Sequence, residues 1–433
     1  MPVSGDTASN GSSDTCPSSD KQLVFARVLE QEMREMGLQN VRLDENGYLY
    51  GTVPGNIEGY TGPVLGFIAH MDVVNDVPSW DIKPRIVENY DGGDIVLGDS
   101  GFVLSVADFP HLKEMKGRTL INIDSEEEGI FTVSCAGGVR TQISMPVQRR
   151  AVYGPCVRLT VEGLRGGHSG VEIHKKLANA NKVMGEFMSR IQKLMPLCLT
   201  NLSGGSKDNA IPRSCQATMV AMGINLQRIN TIAEELQAEI REQYDEPEVT
   251  IQAFDVDALG GNGLSTESTA KIIGLLCAAP NGVQKMSDDI PGLVQTSLNL
   301  GIAKLGERFT ATFSVRSSVN TEKLELLEQL KKLCAFYEGV YTEKGDYPAW
   351  EYKKDSELRD TMVKVYTEMY GKAPEVLAIH AGLECGLLGE KIPGLDCVSV
   401  GPQMHDIHTS RERLEIASTR RTWNFLLEVL KAL

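Results

Sequence analysis

Two short segments, 63–69 (PVLGFIA) and 119–124 (TLINID), are almost wholly apolar, and each runs into a side chain able to bind a metal, His70 and Asp124. Apolar runs this short, bounded by turn formers, suit strands buried on both faces, the pattern of a sheet covered by helices on either side. That fixes an α/β class more tightly than any other feature of the chain. In open α/β sheets ligands collect beyond the carboxyl ends of the strands. A third segment, 397–400, reads as another such strand, with His408 in the loop after it. His70, Asp124 and His408 are therefore expected to gather at one edge. Two imidazoles and a carboxylate make a catalytic zinc set with an open coordination position. Asp72 lies two residues beyond His70, on the same face wherever strand geometry persists, and would hold the second imidazole nitrogen. Taken singly, each residue has a plainer reading. A lone histidine at a strand end is more often structural, and the Glu126-Glu127-Glu128 run after Asp124 reads as a solvated turn.

The rest of the chain arranges itself around those strands. Residues 1–20 are polar and without apolar periodicity, and read as a loop or a disordered start. Apolar residues at helical spacing from Lys21 to Met36, closed by Gly37, predict a helix, and Asn46-Gly47 predicts a hairpin between 41–44 and 48–53. From about Gly138 the texture changes to strands (157–161, 308–315) interleaved with helices (177–191, 229–242, 322–338). After Trp350 the first pattern returns, with helices at 356–370 and 417–432 and strands at 376–379 and 397–400. The expected architecture is an α/β catalytic sheet domain, 1–137 and 346–433, interrupted by an inserted α+β domain, 138–345.

Size and charge narrow the function. At 433 residues the chain has room for two or three cores. Its 58 acidic and 43 basic residues give a net charge of -15, without the basic footprint of a nucleic-acid binder. No apolar run approaches the roughly 20 residues that span a bilayer, and the polar N-terminus does not read as a signal peptide. Nine scattered cysteines without a CxxC pair argue against a disulfide framework or a zinc knuckle. A cytoplasmic location is expected.

Further polar groups sit in otherwise apolar surroundings. The glycine-rich stretch 163–174 (GLRGGHSGVEIH) would let backbone approach a ligand closely, and His168 within it could donate to a developing oxyanion. Arg316 ends a strand and could pair bidentately with a carboxylate, although a surface ion pair is the commoner fate. Asn209 opens the NAIPR segment, and His380 and Glu384 bracket an HAGLE loop.

These stretches resemble the metallopeptidase family of dinuclear zinc aminopeptidases, dipeptidases and amidohydrolases that includes carnosinases, peptidase T and aminoacylases. From about residue 121 onward the chain is similar to the aminoacyl-histidine dipeptidases, through INIDSEEEG, SCAGG, LRGGHSGVEIH, NAIPR, APNGV, QTSLNLG, IHAGLECGL and VSVGP with its following histidine. The first 120 residues resemble peptidase T instead, through VSGDTAS, LGFIAHMD, IVENYDGGDIVLG and KGRTLI. The resemblance implies that His70 and Asp124 bind one metal, that Asp72 orients His70, and that His408, rather than His405, binds the second. It implies that 138–345 is a lid and dimerisation domain whose His168 polarises the scissile carbonyl, often across a homodimer. Asn209, Arg316, His380 and Glu384 resemble substrate-anchoring positions.

The chain departs from the family pattern in one interval. Relatives carry a bridging aspartate in an LGADxG turn and a Glu-Glu pair between the first strand and the INID strand. Here the 54 residues from His70 to Asp124 hold neither, with Asp99 in LGDSG only a faint echo of the turn. Two zinc ions a few Å apart repel, and a bridging carboxylate is part of what permits the pair. One zinc ion, with cobalt or manganese as substitutes, is thus expected rather than two. The resemblance implies a dipeptidase acting on small unblocked peptides of the Xaa-His type. A non-catalytic metal- or peptide-binding remnant and a tripeptide aminopeptidase are the alternatives.

Overall fold

The computed structural model describes residues 7, 13, 15–53, 65–68, 118–220, 223, 226–256, 260–392, 394–407 and 412–433, with backbone alone at 65–68, 260 and 391. The chain forms two compact units. One comprises Met1–Val133, Lys353–Leu377 and Leu388–Leu433, the other Ser134–Tyr352 and Ala378–Leu387. The His380 loop, placed by sequence in the first domain, belongs to the second unit.

The first unit is built on a five-stranded sheet in the order Glu375–Ile379, Ile130–Cys135, Asp396–Ser399, Thr119–Asn122, Leu65–Ile68. The last three strands are parallel and in register, Ile68 beside Asn122 and Asn122 beside Ser399. Leu120, Ile121, Cys397 and Val398 are buried, as runs without alternation require of strands covered on both faces. Helices Glu357–Tyr370 and Ile416–Ala432 bring Tyr366 and Phe425 against Phe131 of the strand Ile130–Cys135, with ring centroids 5.4–5.5 Å apart. The helix starting at Glu357 is tied to its strand by its N-cap. Ser356 accepts from the Arg359 amide and donates to Asp396 at 2.6 Å, and Asp396 also accepts from the Leu358 amide. Gly371, in the left-handed region at φ 69°, ends that helix. The N-terminal helix runs Asp20–Glu35 and the hairpin Gln39–Leu43 with Leu49–Thr52, each within a few residues of the sequence expectation.

The second unit is a nine-stranded antiparallel sheet with helices on one face. Its central strands are Val294–Leu305, Arg308–Ser317 and Gly137–Pro146. Their apolar side chains fall on one face, with a register irregularity between Leu300 and Ile302. Phe309, Ala311, Phe313 and Val315, with Val139, Ile143, Met145, Leu298 and Leu300, are buried in one core with Met184, Phe187, Ile272, Leu276, Leu327 and Leu330 from the helices. Full burial of each large side chain in such a core stabilises by about 1.5–3 kcal/mol. The opposite face of the same three strands carries Ser297 and Asn299, Arg316, Ser314 and Thr312, and Gly138, Arg140 and Gln142. A one-residue slip in register would exchange the two faces, so the apolar side fixes where every polar group stands. The helices here are Ala180–Gln192, Leu226–Tyr244, Thr266–Ala278 and Asn320–Phe336. The first begins three residues later than its periodicity suggests, because Asn179 caps it by accepting from the Asn181 and Lys182 amides.

Candidate functional site

The polar face of the second unit gathers its groups by strand register. Ser297 pairs with Arg316, Arg316 with Gly138, and Gly138 with Tyr347 on the edge strand Val340–Tyr347, giving one row across four strands. Asn299, Ser314 and Arg140 form the next row. Each residue in the first row has a distinct task. Arg316 donates from Nη1 to the Tyr347 hydroxyl at 3.2 Å, while its Nε is buried without a hydrogen-bond partner. A buried guanidinium nitrogen without an acceptor is costly, and an anion's oxygen would satisfy it. Ser297 Oγ lies 2.7 Å from His380 Nε2.

His380 is held neutral. Burial and the Arg316 charge beside it push its pKa down to about 3, against a weak counterweight from the Val294 backbone. Its Nδ1 is buried without a well-formed hydrogen bond. A neutral imidazole next to a fixed cation offers polar contacts without adding charge.

His168 stands on the same unit, in the two-residue strand Gly167–His168 that pairs with Ala210–Ile211. Gly166, at φ 62°, makes the turn into it, and a side chain there would collide with Arg213. The His168 Nδ1 accepts from the amides of Gly170, at 3.1 Å, and Val171, at 3.2 Å. The proton of the neutral ring therefore sits on Nε2, which becomes a donor. Burial first and the Arg316 charge second lower the His168 pKa, against a smaller opposing effect from Glu172, so the ring stays neutral below the usual histidine range. Gly170 allows the His168 and His380 loops to approach, since a Cβ there would lie 2.7 Å from the His380 carbonyl oxygen.

Asn209 enters differently from the sequence expectation. Its side chain is exposed, and its backbone carbonyl accepts from the Ser169 amide at 2.9 Å, which steadies the His168 loop. The loop is held from beneath by Asn299, whose amide donates to the carbonyls of Asp208 and Ala210, and by Arg140, 2.5 Å from the Asp208 carboxylate. Glu384 begins the helix Glu384–Lys391, directly after the loop that carries His380.

In the first unit, Asp124 follows the buried strand Thr119–Asn122 at the carboxyl edge shared by three parallel strands. His70, Asp72, Asp99 and His408 lie outside the described residues. Among the described residues, no three His, Cys, Asp or Glu side chains cluster as metal ligands. Glu126–Glu128 is not a uniformly solvated turn, because Arg421 forks onto Glu128 through two bonds of 2.6 Å. The nine cysteines are all free thiols. Among the described residues, no helix is long and apolar enough to cross a membrane.

Sequence reasoning missed Ser297, Asn299, Gly138 and Tyr347. The signal was available for the first three. QTSLNLG and GGVRTQIS alternate small or polar with apolar residues at a period of two, marking strands with one polar face. Nothing in the local sequence marks Tyr347, because its role arises from pairing across the edge of the sheet.

Comparison with known proteins bears on both units. The M20 peptidase dimerisation domain family matches residues 158–248. Cytosol non-specific dipeptidase of Escherichia coli is 35% identical over 321 residues, 72% of this chain and 65% of the relative. Peptidase T of Halothermothrix orenii is 50% identical over 119 residues, 27% of this chain and 29% of the relative. The chain thus spans just under two thirds of the first relative and under a third of the second. The crystal structure of aminoacylhistidine dipeptidase from Vibrio alginolyticus superposes with a TM-score of 0.80 at 25% identity, covering 100% of this chain and 95% of that one.

Proposed function

We propose that this homologue of cytosol non-specific dipeptidase, which carries an M20 peptidase dimerisation domain and the fold of aminoacylhistidine dipeptidase, is a metal-dependent hydrolase of small unblocked dipeptides. The observation that carries the reading is the polar row of the second unit, an Arg316 guanidinium with a buried, unpartnered nitrogen beside two neutral histidines. Such a group suits the free carboxylate at the end of a short peptide. His168, donating through Nε2, suits the carbonyl oxygen of a scissile bond as charge develops on it. His380 and the loop to Glu384 border the carboxylate anchor, and Asn209 acts through its backbone on the placement of His168.

The metal reading rests on donor chemistry. His70, Asp124 and His408 offer two imidazoles and a carboxylate, an intermediate set that fits zinc, with Asp72 as the orienting partner of His70. Bound there, an ion would supply Lewis acidity toward a water and a peptide carbonyl. Without the bridging aspartate and the Glu-Glu pair of relatives, one ion is the proposed occupancy. Residues 1–137 and 346–433 are proposed as the catalytic domain and 138–345 as the lid, through which two chains pair as a homodimer. A cytoplasmic location agrees with the E. coli relative's name and with the free thiols. The missing acid pair favours one second reading, a remnant that binds metal or peptide without turnover.

Zinc content by elemental analysis, together with turnover of alanyl-histidine, separates the two. One equivalent of zinc and hydrolysis lost in His70→Ala supports the peptidase. Zinc or peptide binding without hydrolysis supports the remnant, and inactive protein that binds neither contradicts both.

A further inference from the structure

A guanidinium recognises a carboxylate well only when its planar fork is turned toward it, and one bonded nitrogen can set that plane. On Arg316 the bonded nitrogen is Nη1, and its partner is the Tyr347 hydroxyl at 3.2 Å. The phenol reaches that point because Gly138 stands between the two residues, paired with Arg316 on one side and with Tyr347 on the other. The ring occupies the space that a side chain at Gly138 would fill. A Cβ there would lie 2.5 Å from the Tyr347 hydroxyl oxygen and 2.7 Å from Cζ. Gly382, in the His380 loop, closes the other flank, where a Cβ would lie 2.7 Å from Tyr347 Cε2. Neither glycine has a positive φ, so neither is required by backbone conformation. Both are explained by the ring they accommodate.

We propose that Tyr347, slotted between Gly138 and Gly382, is a positioning residue that turns the Arg316 guanidinium so that its remaining N–H edge faces a ligand carboxylate, and so sets selectivity for peptides with a free C-terminus. The proposal rests on the reading of Arg316 as the carboxylate anchor. It gives the edge strand Val340–Tyr347 a role in recognition as well as in closing the sheet. Ser297, on the other side of Arg316 in the row, is engaged by His380, which leaves the phenol as the group that sets the guanidinium plane.

The test is calorimetric titration of alanyl-histidine and of its C-terminal amide into the full-length protein, with a chelator present to prevent turnover. Wild-type protein is expected to favour the acid over the amide by about 10- to 100-fold, the range of a charge-assisted hydrogen-bonded pair. Tyr347→Phe, which keeps the ring, should lower that preference about 5-fold while leaving the amide's affinity unchanged. Gly138→Ala, which keeps the hydroxyl but displaces the ring, should do the same, and provides a second route if either variant folds poorly. In an Arg316→Ala background, Tyr347→Phe should have no further effect on the preference. Retention of the full preference in both single variants, or an equal loss of acid and amide affinity, overturns the proposal. Wild-type protein indifferent to the amide overturns instead the reading of Arg316 on which it rests.

Discussion

In the first unit the described residue of interest, Asp124, follows its strand at a carboxyl edge shared by three parallel strands, whereas in the second Ser297, Arg316, Gly138 and Tyr347 stand on the strands, in a row across one face. The two placements are controlled by different physics. A row on a sheet is fixed by register, and register is fixed by the apolar face behind it. Phe309, Phe313 and Val315 therefore decide where Arg316 stands. A residue beyond a strand end is fixed only by its loop and by whatever that loop binds. The proposed recognition site is thus preorganised in the second unit, while the proposed metal chemistry of the first depends on ligands contributed from both ends of the chain.

This contrast predicts effects of very different size. Arg316→Ala should lower kcat/KM on dipeptides by about 10²-fold or more, since it removes the charged partner of a carboxylate. Amide substrates should be almost unaffected, and steady-state kinetics on the matched pair checks it. His168→Ala should lower kcat by about 10²-fold with little change in KM, the signature of a donor used in the transition state. Equal losses in KM would place it in ground-state binding instead. Because Arg316 helps hold the His168 pKa down, the acid limb of the pH profile should move to higher pH in Arg316→Ala.

Asn299→Ala should cost about 1–3 kcal/mol by leaving the Asp208 and Ala210 carbonyls without their buried donor, read from urea melts. It should also reduce activity through His168, whose strand pairs with Ala210. A smaller effect follows from His380. Its folded pKa lies near 3, below the unfolded value near 6.5, so the unfolded chain binds more protons between them and stability falls as pH drops through that window. The slope this group contributes is at most about 1.4 kcal/mol per pH unit, and His380→Gln should flatten it. Unchanged pH dependence of the melts in that variant would contradict the buried neutral ring.

Much of this arrangement was legible in the sequence. The short apolar runs ending near Ile68 and Asn122 announced parallel strands, and the helices at 20–35, 357–370 and 416–432 fell within a residue or so of their apolar periodicity. The side chains of Arg316, His168 and His380 were recognised as site candidates, and the second unit does bring them together. What escaped was pairing across the sheet. Gly138 is legible as part of a strand with one polar face, but its purpose emerges only when Tyr347, about two hundred residues away in sequence, is brought over it. Asn209 was legible as a polar residue in the right place, but its contribution runs through its carbonyl, which no side-chain pattern reveals. The His380 loop, read with the first domain from chain continuity, clusters with the second unit.

The most direct measurement is zinc titration, by calorimetry, of two purified variants. Asp124→Ala should lose high-affinity zinc while still binding alanyl-histidine in preference to its amide, and Arg316→Ala should bind zinc as the wild type does while losing that preference. Wild-type zinc affinity in Asp124→Ala would contradict the assignment of metal to the strand ends of the first unit.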